Sequence, residues 1–444
     1  MIKKVCFFIL YFISPVLPIV AIYSSNPGYY GSTGFIPMVL GSMAFTWLNM
    51  QLILSARPKR IESSFGLDRF YQFHSLMAVI AIIIAFTHKL LQERTFSESF
   101  QTKLGDAAIV IFIIAAALAL VFMIDTLVRI IKPLQALRAF AKKINLGKYN
   151  MHVLLHNLNV VAVVLVFIHV MLTYSASNPF VKAVYILYSG TAIGFYLYHK
   201  VIRRYFLNEK FIVEQVLAES SSISTLILRP EAGEVFPYQP GQFGFLRILS
   251  DGISAEEHPF SISSQPSDKE HISVTIKNLG DWTEGVHNIK AGSKATLDAP
   301  YGRFSPLKYN CENGIALIAG GVGITPMLSI VRYFYQNDKS QKLMLFWGVN
   351  DQSELICSSE FQAFQKEMQN FTFIPVLAKD ESYEGEKGYV TAEKLEKYIN
   401  LNGYDLQKLQ YFICGPAVMQ TSILKSLKLM GVNKKNIHYE RFSL

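Results

Sequence analysis

Two apolar stretches of this chain each carry a histidine near either end. Residues 70–91, FYQFHSLMAVIAIIIAFTHKLL, are long and apolar enough to cross a bilayer, yet they hold His74 and His88. An ionisable side chain inside a membrane helix is costly and marks a functional site. Residues 152–173 repeat the arrangement with His156 and His169. The first pair is 14 residues apart, which is about 21 Å along a helix axis and within roughly 40° of one face. The second pair is 13 apart, which leaves about 140° between the side chains on an ideal helix. A bend, a tightened turn or different rotamers must compensate. His152 rivals His156, but its spacing of 17 to His169 matches the first helix less well. Four separate packing histidines are the plain alternative. Matched spacing on two helices favours bis-histidine ligation of two haems, His74 with His156 and His88 with His169.

Long apolar runs fill the first two hundred residues, and six spans are expected over 5–24, 34–55, 70–91, 106–131, 152–173 and 180–200. The first resembles a secretion signal in its Lys3 and Lys4 start, but its length, Pro15, Pro18 and the lack of a small-residue cleavage site argue for a retained span. A net charge of +9 raises the question of nucleic acid. The basic residues, however, flank apolar helices: Arg57, Lys59, Arg60 and Arg69; then Arg129 to Lys148; then Lys200, Arg203 and Arg204. That distribution points to membrane orientation, with both termini in the cytoplasm and no nucleic-acid partner. Spans three and five then run the same way, so His74 and His156 share the inner depth and His88 and His169 the outer. Cys6, Cys311, Cys357 and Cys414 form no CxxC pair and no disulfide framework.

After Arg204 the pattern changes. FIVEQVLA (211–218), STLILRP (224–230), GQFGFLRIL (241–249) and HISVTIK (271–277) read as strands of a small antiparallel barrel. GIALIAG (314–320) reads as a buried parallel strand running into GVGITP (321–326) and a helix. Gly320, Gly321 and Gly323 let a pyrophosphate approach, with Thr325 as N-cap and Pro326 at the first helical position. KLMLFWGV (342–349), FTFIPVLA (371–378) and LQYFICG (409–415) continue a doubly wound sheet.

HPFSISS (258–264), GDWTEG (280–285), FICGPAVM (412–419) and HYERFSL (438–444) resemble the motifs of the bacterial NADPH oxidase and ferric reductase-like transmembrane family. The resemblance covers about residues 35–444. It implies a membrane α-helical bundle of six transmembrane helices, an FAD-binding antiparallel β-barrel, and an α/β nucleotide-binding domain like that of ferredoxin-NADP reductase. The corresponding boundaries are 1–205, 206–308 and 309–444. It implies FAD, two haem b groups and NADPH or NADH as cofactors, and an integral protein of a bacterial inner membrane. The acceptor beyond the membrane is expected to be oxygen, with a ferric or cupric chelate or a separate protein as alternatives. His258 and Lys277 are implied at the flavin pyrophosphate, with Pro259 in the same run. Phe260 is implied against the flavin, Ser261 near its reactive nitrogen, and Gly280, Trp282 and Thr283 around its phosphates. Cys414, Gly415 and Pro416 are implied beside the nicotinamide, and Phe442 as the aromatic that covers the flavin. Ser261, Cys414 and Phe442 are the expected catalytic residues. The sequence sets no oligomeric state.

Three departures from the family stand out. Gln92 occupies the place, four past the outer histidine of span three, where animal oxidases carry an oxygen-site histidine, and span two has no arginine before Arg57. The middles of both histidine helices are aliphatic, so an aromatic between the haems must come from Phe112, Phe122 or Phe45. GVNDQSEL (348–355) lacks the arginine that grips a 2′-phosphate, and Asp351 there suits a free ribose hydroxyl, which favours NADH. No EF-hand loop is present, so calcium control is not expected.

Overall fold

A computed structural model describes residues 2–25, 34–93, 99–122, 132–143 and 149–440, and its contacts divide into two units at Phe206 and Leu207. In the first unit the apolar runs are helical, because a backbone in lipid must satisfy its own hydrogen bonds. The helices are α1 (Ile2–Ile13), α2 (Val16–Ser25), α3 (Phe35–Ser55), α4 (Lys59–Phe65), α5 (Leu67–Glu93), α6 (Phe100–Phe122), α7 (Lys132–Lys143), α8 (Tyr149–Met171) and α9 (Pro179–Leu197). After α9 the chain widens into i→i+5 turns over Tyr198–Leu207. Among the described residues six segments are long and apolar enough to cross a membrane: Lys3–Ser25, Phe35–Ser55, Leu67–Gln92, Phe100–Phe122, Leu154–Met171 and Pro179–Arg204. The fourth starts at Phe100 rather than 106, and the expected stretch 123–131 lies outside the described residues. The basic segment that the sequence leaves as a loop contains α7.

Polar residues in α3 are absorbed locally. Ser42, Thr46 and Asn49 donate to the carbonyls four residues before them at 2.9, 2.8 and 2.9 Å. Gln51 donates to the Tyr11 hydroxyl at 2.9 Å and the Trp47 indole to the Tyr11 carbonyl at 3.3 Å, which pins α1 to α3. α5 packs along α3 and α8 along α6. The buried centre combines alanines such as Ala81, Ala85, Ala108 and Ala162 with large side chains that include Trp47, Phe70 and Phe112.

The second unit holds two sheets. Strands β1 (Glu209–Ser220), β2 (Ile223–Pro230), β3 (Phe243–Leu249), β4 (His258–Ser261), β5 (Ile272–Lys277) and β6 (Lys294–Tyr301) pair antiparallel in the order β4-β3-β6-β1-β2-β5. A bridge between Ile262 and Val274 closes the sheet on itself. One turn of helix, α10 (Asp281–Glu284), follows β5. The second sheet is parallel, in the order β10-β9-β8-β7-β11-β12. Its strands are β7 (Ile315–Gly320), β8 (Leu343–Val349), β9 (Phe371–Leu377), β10 (Glu386–Lys387), β11 (Gln410–Cys414) and β12 (Ile437–Glu440). Helices α11 (Thr325–Asn337), α12 (Ser358–Glu367), α13 (Ala392–Leu401) and α14 (Ala417–Leu429) connect them. β7 is buried at every residue, which is why it reads as a continuous apolar run. The tail that reads as an aromatic segment supplies β12, paired to β11.

Several polar ties join barrel to parallel sheet, three of them short. Arg332 on α11 grips Glu360 at 2.7 Å and donates to the Ser263 carbonyl at 2.8 Å. Ser329 donates to the Ser264 carbonyl at 2.6 Å. Lys277 at the end of β5 pairs with Glu354 after β8 at 2.6 Å, and both side chains are largely buried. Burial opposes the Glu354 charge, but the Asn350 amide and then Lys277 outweigh it and hold the carboxyl below its ordinary 4.5. A depressed carboxylate contributes stability above its unfolded value and loses it as pH falls through the folded one. We therefore expect Glu354→Gln to cost roughly 1–3 kcal/mol at neutral pH. The gap to wild type should close below pH 4.5, as thermal melts of both proteins across pH will show.

Candidate functional site

The four histidines fall into two kinds. His74 on α5 and His156 on α8 face one another with ring centres 6.4 Å apart. α5 and α8 themselves do not pack closely among the described residues. Two imidazoles bound to one metal through about 2 Å bonds have ring centres roughly 6.3 Å apart, so the spacing suits a shared ion. Lys200 lies within electrostatic reach of both rings; from sequence alone it serves only as a loop charge. His88 and His169 also lie within electrostatic reach of each other. His88 donates from Nδ1 to the Pro37 carbonyl at 2.8 Å, and His169 from Nδ1 to the Gln101 carbonyl at 2.8 Å. A carbonyl only accepts, so Nδ1 carries the proton in both and Nε2 keeps its lone pair for a metal.

Among the described residues no three His, Cys, Asp or Glu side chains converge as a metal site. A pair of imidazoles suits an ion whose other ligands come from a macrocycle, and the buried, partnerless His74 Nδ1 leaves that ring free to turn toward one. The residues present therefore fit haem. α8 runs unbroken from Tyr149 to Met171, so the spacing of 13 is accommodated by direction: His156 turns to α5 and His169 to α6. Nothing is described of the His152 side chain. Of the three candidate aromatics, Phe112 packs in the cluster shared by α5 and α8, whereas Phe45 packs on Tyr185 and Tyr188.

In the barrel, HPFS forms β4 and GDWTEG forms the turn into α10, and the two meet. Trp282 stacks on Phe260 at 5.6 Å and lies 4.5 Å from the His258 ring, its indole anchored on the Ser254 carbonyl at 2.8 Å. Ser261 is 3% exposed and its hydroxyl has no hydrogen-bond partner among the described residues, which suits a ligand atom. Pro259 lies between His258 and Phe260 on β4. Other expectations shift. Lys277 is committed to Glu354 rather than turned to a phosphate. Thr283 Oγ1 accepts from the Leu279 and Gly280 amides at 2.8 and 2.9 Å, so these close their own turn. Burial lowers the His258 imidazole below its ordinary value against the pull of Glu256.

In the parallel sheet, β7 and β11 are neighbours, so the turns after them meet at one edge. A β-carbon on Gly323 would stand 2.3 Å from the Cys414 carbonyl oxygen, and one on Gly320 would stand 2.9 Å from Pro416. Both glycines are thus required by the close approach of the two turns. Gly321, at φ 52, takes the left-handed turn, and Gly415 has φ 156. Thr325 is not the N-cap: the tight turn Gly321–Ile324 runs straight into α11, Ile324 caps it, and the Thr325 hydroxyl donates to the Val322 carbonyl at 3.0 Å. Pro326 follows in the first turn. Cys414 is fully buried; burial and then Glu440 push its thiol well up, so it remains protonated. Glu440, on β12 beside Cys414, is invisible to sequence reasoning, because only the β11–β12 pairing brings it there. Phe442 lies outside the described residues.

Because the Ser261 hydroxyl has no protein partner to lose, Ser261→Ala should leave stability within about 0.5 kcal/mol. We expect it to slow flavin reduction by NADH about tenfold or more in stopped flow, the cost of one hydrogen bond at the reacting centre.

Comparison with known proteins gives three matches along the chain: ferric reductase like transmembrane component over 40–167, FAD-binding domain over 212–321, and oxidoreductase NAD-binding domain over 317–425. The glycine betaine monooxygenase reductase subunit of Chromohalobacter salexigens is 27% identical over 51% of this chain and 62% of its own. Flavohemoprotein A of Dictyostelium discoideum is 28% identical over 52% of this chain and 60% of its own. The chain thus spans about three fifths of the length of these relatives. The crystal structure of the flavohem-like FAD/NAD binding domain of nitric oxide dioxygenase from Vibrio cholerae is 23% identical, covering 53% of this chain and 98% of that one, with a TM-score of 0.47. The chain joins a ferric reductase-like transmembrane component to FAD- and NAD-binding domains of ferredoxin-reductase type.

Proposed function

We propose that this protein is a transmembrane oxidoreductase that moves electrons from cytosolic NAD(P)H to a one-electron acceptor beyond the membrane. The observation that carries this reading is the His74–His156 pair at bis-ligand spacing, on the same two helices as the carbonyl-bonded His88 and His169. When bound, FAD converts a hydride into single electrons and two b haems carry them through the apolar depth. Each NAD(P)H then gives up one hydride, releases one proton on the cytosolic side, and supports two one-electron reductions of the acceptor.

The protein's own groups fix order and exposure. Gly320, Gly323 and Gly415 bring the turns after β7 and β11 together to receive the dinucleotide. Cys414, held as a thiol, offers a small neutral surface at the nicotinamide. Ser261 offers its buried hydroxyl to the flavin, while Trp282 fixes Phe260 beside it. His74 and His156 would hold the inner haem, and His88 and His169 the outer. Phe112 supports a contact between the two depths. The segment after β8 offers no arginine for a 2′-phosphate, and Asp351 there suits a free ribose hydroxyl, which supports NADH over NADPH.

Oxygen, with superoxide as product, is the acceptor that the GDWTEG run favours. A ferric chelate is the second reading, and one observation favours it: Arg57 follows the end of α3 opposite to Pro37, the residue beside His88, so no α3 arginine reaches the outer pair.

The test is anaerobic reduction of the FAD-loaded protein with NADH or NADPH, followed by mixing with oxygen or a ferric chelate. NADH should reduce the haem bands with at least a roughly tenfold advantage in kcat/KM, the size of discrimination that about 1.4 kcal/mol supplies. A protein whose haem bands neither nucleotide reduces ends this reading, and the acceptor that reoxidises faster names the activity. His74→Ala and His156→Ala should each lose one haem equivalent, whereas a His152 variant keeps both, as pyridine haemochrome titration will read.

A further inference from the structure

The bundle treats its four histidines unequally, and the inequality repeats between its halves. Each outer imidazole donates to the carbonyl of Pro37 or Gln101. In both cases the residue four places further along the accepting helix is glycine, Gly41 on α3 and Gly105 on α6. The imidazole lies against it. A β-carbon on Gly41 would stand 2.8 Å from His88 Cε1 and 2.9 Å from Nδ1, and one on Gly105 would stand 3.1 Å from His169 Cε1 and Nδ1. Among the described residues the inner pair has neither feature: His74 Nδ1 is buried without a hydrogen-bond partner, and His156 Nδ1 meets Asn159 Nδ2 only at 3.5 Å.

Helix geometry explains the coincidence. Carbonyl i accepts the N–H of residue i+4 and keeps a second lone pair that points outward. Every Cα–Cβ bond tilts toward the helix N-terminus. The β-carbon of residue i+4 therefore stands beside that lone pair, and glycine there opens it to a ring from another helix. Pro37 with Gly41, and Gln101 with Gly105, are the same notch cut twice, on the helices that pack against α5 and α8.

We propose that these two carbonyl–glycine notches position the ligands of the outer haem. They fix the Nδ1–H tautomer, aim both Nε2 atoms at one iron, and make both imidazoles stronger donors. The proposal rests on the bis-histidine haem reading above. Gly41 and Gly105 act through the imidazoles and touch no reacting atom.

The test uses the full chain in detergent with Gly41→Ala and Gly105→Ala, and with Gly190→Ala and Gly194→Ala on α9 as controls, where an added β-carbon meets nothing within 4 Å. Haem content, low-spin electron paramagnetic resonance g-values and midpoint potentials are read. We expect wild type and controls to hold two low-spin haems. Gly41→Ala should lose, or turn high-spin, the same single haem that His88→Ala loses. Gly105→Ala, with the looser contact, should keep that haem with shifted g-values and potential. If both variants keep both haems with wild-type spectra and potentials, the proposal is overturned. Equal damage to both haems in both variants also overturns it, because the glycines would then serve the bundle and not one centre. A wild type that binds no haem defeats the underlying haem reading instead.

Discussion

A helix carbonyl in lipid already has its partner, and its second lone pair is almost the only polar group that the membrane depth can offer an imidazole. The outer half of the bundle is arranged around that fact. His88 and His169 reach their protonation state through main-chain oxygens of Pro37 and Gln101 and need no side-chain acceptor. The small residues against them follow from it: Gly41 and Gly105 let each ring lie close to the accepting helix. Ser42, Thr46 and Asn49 donate to carbonyls of their own helix and Gln51 donates to Tyr11, so none of these donors turns to a histidine.

The soluble unit obeys a different constraint. Its core is made by strand pairing, and its sites lie where strands end. β7 and β11 are adjacent and parallel, so their C-terminal turns meet without any side chain specifying it. In the barrel, β4 and α10 are brought together by Trp282, which spends its indole proton on Ser254 and its face on Phe260. Arg332, Ser329 and Lys277 then tie barrel to sheet. The Lys277–Glu354 tie weakens in acid, as its carboxylate, held below its ordinary value, takes up a proton.

Much of this is legible beforehand because the signals are local. An apolar run of bilayer length, a histidine within it, and a glycine-rich turn after a buried strand each report a physical need within a few residues. The corrections have two origins. Lys277 and the Gly280 amide look free to meet phosphate in the sequence, but Glu354 reaches Lys277 through the fold, and the Thr283 hydroxyl closes the local turn on Gly280. Thr325 looks like a cap, yet the preceding tight turn already has helical geometry, so Ile324 takes that position. Glu440 escapes notice because β12 joins the sheet only through pairing with β11.

The sequence by itself determined the six apolar spans, the four histidines within them and the order of barrel and parallel sheet. Hydrophobic period and turn chemistry act over short distances and need no tertiary context. Only the tertiary structure decided which way each imidazole points, and the resolution of the 13-residue spacing shows why. On one unbroken helix His156 turns to α5 and His169 to α6, because what each ring finds to pack against and bond to lies on a different neighbour. A helix's own sequence holds no record of the carbonyl or the glycine that another helix brings to it.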